Sequence, residues 1–325
     1  MIDDLLLATR KGLVTCHREG QAWHATGRGL RDKRLTCVVN REGIVLAGAT
    51  DGIYRSEDAG QTWHDAVDGL SARHVRWMFH HPDVGDLVFA GTEPAGIYVS
   101  HDGGATWGSR PEVEKLRDEH RWSMPYSPEA GCARGFAFLG THGYAAVEVG
   151  GVLRSDDSGE TWRLVDGSER KPEVDGSAEP SVDPDVHSVS IHPWSRDVAF
   201  ACTGGGFYRT TDGGKVWSLV YDCYCRAAWI NPDDPQNIIL GPARGVDRDG
   251  WIVGSNDGGQ TWVSASGGLQ VPWSQSMVER FIRANDDLLA VLSNGQLLST
   301  PIGAWEWRRI VPDVAEIASV CELTV

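Results

Sequence analysis

The chain has 325 residues, 41% of them apolar, and carries 45 acidic against 30 basic side chains for a net charge of −15. That acidity argues against nucleic acid or an anionic membrane surface as the main partner, because both are held by basic patches. The seven cysteines are scattered and odd in number, which fits reduced thiols better than a disulfide framework.

The first residues, Met1-Ile2-Asp3-Asp4, place acids where a secretory leader carries cations, and no later stretch is apolar for long enough to span a bilayer. A cytoplasmic location is the expectation. Residues 5–9 read as a short strand. A pattern then begins that organises the chain: Ser/Thr-x-Asp-x-Gly-x-Thr/Val-Trp, at residues 56–63, 100–107, 155–162, 210–217 and 255–262. It suits a tight turn between strands. The Asp can accept backbone N–H groups of its own turn, the Gly takes a conformation closed to other residues, and the Trp starts the next strand with a large apolar ring.

The five tryptophans are spaced 44, 55, 55 and 45 residues apart, and worn copies end at Trp23 and Trp307. A repeat of about 40–50 residues holding four short strands is a propeller blade. The fold expected is therefore all-β, a seven-bladed β-propeller forming one domain over residues 1–325. Its blades are 1–27 together with 314–325, then 28–68, 69–112, 113–167, 168–222, 223–268 and 269–313. The last strand, at 315–323, joins the first blade and closes the ring. Within a blade, an apolar strand ends at a turn such as His81-Pro82, His192-Pro193 or Asn231-Pro232. Two more strands precede the repeated turn, and Gly204-Gly205-Gly206 reads as the turn between them in blade five.

Residues 108–131, 163–185 and 242–250 break the rhythm. They read as long loops on the face opposite the repeated turns, and Trp122, Tyr126 and the adjoining Trp251 suggest binding elements. Counting six residues back from the prolines that follow the inner strands gives Arg76, His187 and Arg226, and from Gly140 gives Arg134. The same register gives Glu279, Glu316 and Leu35. Glu93 and Glu148 take equivalent places on the second strands. Three Arg and one His along a channel in an acidic protein suit a small anionic or zwitterionic ligand, because the guanidinium fork matches carboxylate, sulfate or phosphate. Arg76, Arg134 and Arg226 are the expected ligand-binding residues. Glu93, Glu148 and His187 are the expected acid/base residues if the site is catalytic. The bland alternative is a ring of mutual ion pairs. A metal held by His187, Glu93 and Glu148 is opposed by the neighbouring arginines, so no metal and no cofactor are expected. Cys223-Tyr224-Cys225 is too short a spacing for a zinc knuckle.

The repeated turn resembles the Asp-box, or bacterial neuraminidase repeat. The stretches at 90–96, 147–152, 185–187 and 203–206 resemble bacterial Asp-box propellers described as glycosyl-hydrolase-like or sialidase-like, with no substrate assigned. That resemblance implies that Asp58, Asp102, Asp157, Asp212 and Asp257 are structural, and it raises hydrolase or lyase activity on a sugar-acid-like anion. True sialidases differ in having six blades, an Arg-Ile-Pro motif and a Tyr nucleophile; this chain lacks the motif, and no tyrosine is expected on an inner strand at the open face. The competing expectation is a non-catalytic scaffold that docks a protein partner through its loop-bearing face.

Overall fold

The computed structural model describes residues 4–20, 22–124, 131–168 and 181–324. Seven four-stranded antiparallel sheets make up the molecule. Their inner strands are Ile317–Glu322, Leu35–Arg41, His74–His80, Cys132–Leu139, Val186–His192, Tyr224–Ile230 and Val278–Ala284, in blades one to seven. Each inner strand neighbours the next, and that of blade seven returns to that of blade one. This is the seven-bladed β-propeller read from the spacing. In blade one, Ile317–Glu322 pairs with Asp4–Thr9 in antiparallel register, Leu7 opposite Val320. The late strand thus closes the ring and leaves no open seam between first and last blades.

The second strands read as nearly unbroken apolar runs because each blade is covered on both faces by its neighbours. Leu5 to Ala8, Val88 to Ala90 and Leu288 to Leu292 are all buried. The contacts pool residues from adjacent blades: Phe89 of blade three stacks on Phe138 of blade four at 4.7 Å, with Trp162 edge-on to both. Close approach of neighbours needs Gly91. A Cβ there would lie 2.4 Å from the carbonyl oxygen of Ala133 in the next blade.

The repeated turn is built as its residue types suggest. In the copy ending at Trp262, Ser255 donates to Asp257 Oδ1 at 2.8 Å and accepts the Gly259 N–H at 2.8 Å. Asp257 Oδ1 accepts the N–H groups of Gln260 and Thr261, and Oδ2 accepts the Thr261 hydroxyl at 2.6 Å. These bonds hold the Asp257 carboxyl down to about 2. Gly259 sits at φ +89°, the left-handed region. Two of the tryptophans also stitch blades together: Trp107 donates its indole N–H to Ala66, and Trp307 to Ala265, each in the preceding blade.

One of the three interruptions is not the loop expected. Residues 108–131 contain a helix, Pro111–His120. It opens with Pro in its first turn and Glu112 and Glu114 beside the positive helix end, and stops at Arg121 in left-handed conformation. Val113 and Leu116, three apart, pack on the core shared by blades three and four, and Glu112 accepts the Trp162 N–H at 3.0 Å. Trp122 is buried in that same core, and Trp251 packs against Phe207 and its neighbours, so both rings are structural. Tyr126 and most of 163–185 lie outside the described residues.

Candidate functional site

All seven inner strands carry an irregularity at the same place. The register shifts between Leu35 and Cys37, Val75 and Trp77, Ala133 and Gly135, Val186 and Ser188, Cys225 and Ala228, and Val278 and Arg280. In blade one the partner strand shifts between Ala8 and Thr9, opposite Ser319 and Ile317. A bulge leaves one residue out of the ladder and re-aims its side chain. Those residues are Thr36, Arg76, Arg134, His187, Arg226, Glu279 and Ala318, one per blade, with Ala227 also unpaired in blade six. The proline register thus lands on the bulge in blades three, five and six, the Gly140 register does so in blade four, and the same count gives Glu279 in blade seven. It misses in the other two. Leu35 is core, with Thr36 in the bulge, and Glu316 precedes its strand, with Ala318 two residues on. In blades two, four and seven, where no proline marks the turn, the residue six beyond the bulge is left-handed instead: Glu42, Gly140 and Asn285 have φ of 50°, 56° and 52°.

Six of the bulged residues, Thr36, Arg76, Arg134, Arg226, Glu279 and Ala318, line a cavity of about 680 Å³. Six arginines line it (Arg10, Arg34, Arg76, Arg134, Arg226 and Arg280) against three carboxylates, Glu148, Glu279 and Glu316. Glu93 and His187 are not among its lining residues. Glu93 stands behind the wall, 3.3 Å from Arg76 and 3.5 Å from His74. His187 is fully buried.

Much of the charge is paired. Arg134 donates to Glu148 at 2.9 Å and reaches Glu279 at 3.5 Å. Arg226 pairs with Glu279 and, at 3.3 Å, with Asp247 from the 242–250 insertion. Burial works against ionising Glu148, but Arg134, His187 and Arg76 outweigh it and hold the carboxyl at about 2. Glu279 is likewise lowered, burial being outweighed by Arg226 and Arg134. Arg280 differs. Among the described residues no carboxylate lies within 4.0 Å of it; it donates to the Thr36 carbonyl at 3.1 Å and lies 3.7 Å above the Trp77 ring centre. Burial lowers its guanidinium to about 10, so it remains charged at neutral pH.

One tyrosine does reach this region, against expectation. Tyr224 begins the inner strand of blade six, and its hydroxyl lies 3.3 Å from both His187 Nε2 and Arg226 Nε. Asp185, Asp247 and Arg280 were also not singled out as site residues. Asp185 is two residues before His187, on the same face of an extended segment, a pattern readable from spacing alone. One ligand atom each from Glu148, Asp185 and His187 lies within 4.8 Å of the others, the one group of metal-ligating type that converges in this way among the described residues.

No protein-family model matches the chain. A xyloglucanase from a Paenibacillus species is 24% identical over 288 residues, covering 75% of this chain. The chain spans 27% of that enzyme's length. Among solved structures, YCF48 bound to D1 peptide has a TM-score of 0.62 at 16% identity, covering 94% of this chain and 91% of that one. An ancestral GH74 enzyme has a TM-score of 0.61 at 15% identity, covering 84% of this chain and 38% of that one. At these identities the likeness establishes the fold: a seven-bladed propeller similar both to GH74 hydrolases and to YCF48. Among the described residues no helix is long and apolar enough to cross a membrane.

Proposed function

We propose that the protein binds a small anionic ligand, carrying a carboxylate, sulfate or phosphate, in the arginine-lined cavity. The observation that carries this reading is the excess of cation at one spot of an acidic chain: six arginines face three glutamates, and Arg280 has no carboxylate partner among the described residues. An unpaired guanidinium held against Trp77 is ready to take an oxyanion without first giving up an ion pair. Arg76, Arg134 and Arg226 shape the positive wall, while Arg10 and Arg34 stand at its exposed side. Binding fits better than acid/base hydrolysis. A general acid needs a raised carboxyl, and both Glu148 and Glu279 are lowered. Glu93 and His187, outside the lining, would act on a ligand only through other groups. The repeated turns we read as Asp-boxes that build the scaffold, on their Ser–Asp–Thr bonding. The seven unpaired thiols support a reducing, cytoplasmic setting.

The test is calorimetric titration with small dicarboxylates, sulfated sugars and phosphorylated sugars, beside neutral sugars, on the native chain and on Arg280→Gln. Anion-selective binding that weakens at least about tenfold in the variant is expected, from loss of a charged hydrogen bond of about 1.5–3 kcal/mol. No binding by any anion to the folded protein would refute the site. It would leave the scaffold reading, in which the loop-bearing face docks a protein partner.

A further inference from the structure

We propose that Glu148, Asp185 and His187 form a site for one transition-metal dication of the zinc type. The three come from two adjacent blades. Glu148 ends the second strand of blade four, and His187 is the bulged residue of the inner strand of blade five, with Asp185 just before that strand. Their ligand atoms converge within 4.8 Å. His187 Nε2 and Asp185 Oδ2 are 3.2 Å apart. Bonds of about 2.0–2.1 Å to a shared tetrahedral ion would set neighbouring donors roughly 3.3 Å apart.

The orientation of the imidazole is the stronger argument. His187 Nδ1 lies 2.9 Å from the carbonyl oxygen of Cys225, which can only accept. The proton therefore sits on Nδ1, and Nε2 is turned toward the two carboxylates. A backbone carbonyl clamping the far nitrogen is the usual support of a metal-bound imidazole. The ring is fully buried. Nε2 and two carboxylates meet at one point, where an ion would replace any proton that Nε2 carries, and among the described residues the Tyr224 hydroxyl is the one donor facing Nε2, at 3.3 Å. A dication satisfies all three at once. One imidazole with two carboxylates favours Zn²⁺ or Mn²⁺ over Mg²⁺ or Ca²⁺, which prefer oxygen alone. Glu148 also lines the arginine cavity, so three protein ligands would leave the remaining coordination position to a water or ligand on that side.

The inference does not depend on the anion reading, because it is tested in buffer free of coordinating anions. The full chain is stripped with chelator and titrated calorimetrically with Zn²⁺, Mn²⁺ and Mg²⁺, and bound metal is then counted by elemental analysis. Zn²⁺ binding at one site per chain is expected, with Mg²⁺ at least about tenfold weaker. Asp185→Asn and Glu148→Gln should each weaken Zn²⁺ at least about tenfold. His187→Gln should do the same. Asp185 is half-buried, so Asp185→Asn keeps the test valid if the histidine variant fails to fold. Failure of the native chain to take up Zn²⁺, or uptake unchanged in Asp185→Asn and Glu148→Gln, overturns the proposal. Anion binding measured separately with chelator present would stand or fall without reference to this result.

Discussion

Glu148 offers a quantitative test of the charge network. Its carboxyl is lowered from 4.5 to about 2, burial being outweighed mainly by Arg134 at 2.9 Å. A shift of that size corresponds to about 3 kcal/mol of stability at pH 7. Because the folded value lies below the unfolded one, the contribution is complete above about pH 5. It is lost as pH falls toward 2, and about half remains near pH 3. Glu148→Gln removes the charge with little change of shape and leaves Arg134 its second partner, Glu279. Urea unfolding followed by tryptophan fluorescence, with chelator present, should show the variant about 3 kcal/mol less stable at pH 7, with the gap narrowing on acidification. A gap under about 1 kcal/mol at neutral pH, or one that does not narrow in acid, would refute the assignment of the shift to this pair.

Gly91→Ala should destabilise by about 1–3 kcal/mol in the same assay, since its Cβ would stand 2.4 Å from a backbone oxygen of the next blade. A neutral result would mean that blades three and four are not close-packed there. Trp107→Phe and Trp217→Phe should differ. Trp107 donates to Ala66 at 3.0 Å, whereas the buried Trp217 N–H has no acceptor among the described residues. Trp107→Phe should therefore cost about 1 kcal/mol more, and equal losses would contradict the stitching role of that bond.

The architecture was legible because a five-fold repeated turn prints its own hydrogen bonding in residue types: Ser and Thr hydroxyls, an Asp and a left-handed Gly. Arg76, Arg134, His187 and Arg226 were legible because a turn marker, proline or Gly140, sits a fixed distance beyond each bulge. Thr36 and Ala318 were not, since no such anchor marks their strands. Arg280 was missed for a related reason. Adjacent residues of a regular strand face opposite ways, but the bulge at Glu279 lets both residues line one cavity. The helix at Pro111–His120 was hidden by its polar composition, since Val113 and Leu116 are the apolar residues of its buried side and the rest of the apolar contact comes from Trp122, beyond its end. Asp247 reaches Arg226 from an insertion whose path no local pattern determines.

The seven bulges have a consequence for how such a molecule could be rewritten. Read round the rim, Thr36, Arg76, Arg134, Arg226, Glu279 and Ala318 spell a six-letter word, with His187 buried behind it, on a page that is printed elsewhere, by the apolar strands and the repeated turns. Each letter stands outside its ladder, so exchanging it leaves the pairing of its neighbours intact. A library varied at these positions, with the ion-pair partners Glu93, Glu148 and Asp247 edited alongside so that no charge is left without its partner, would sample many channel chemistries on one fold.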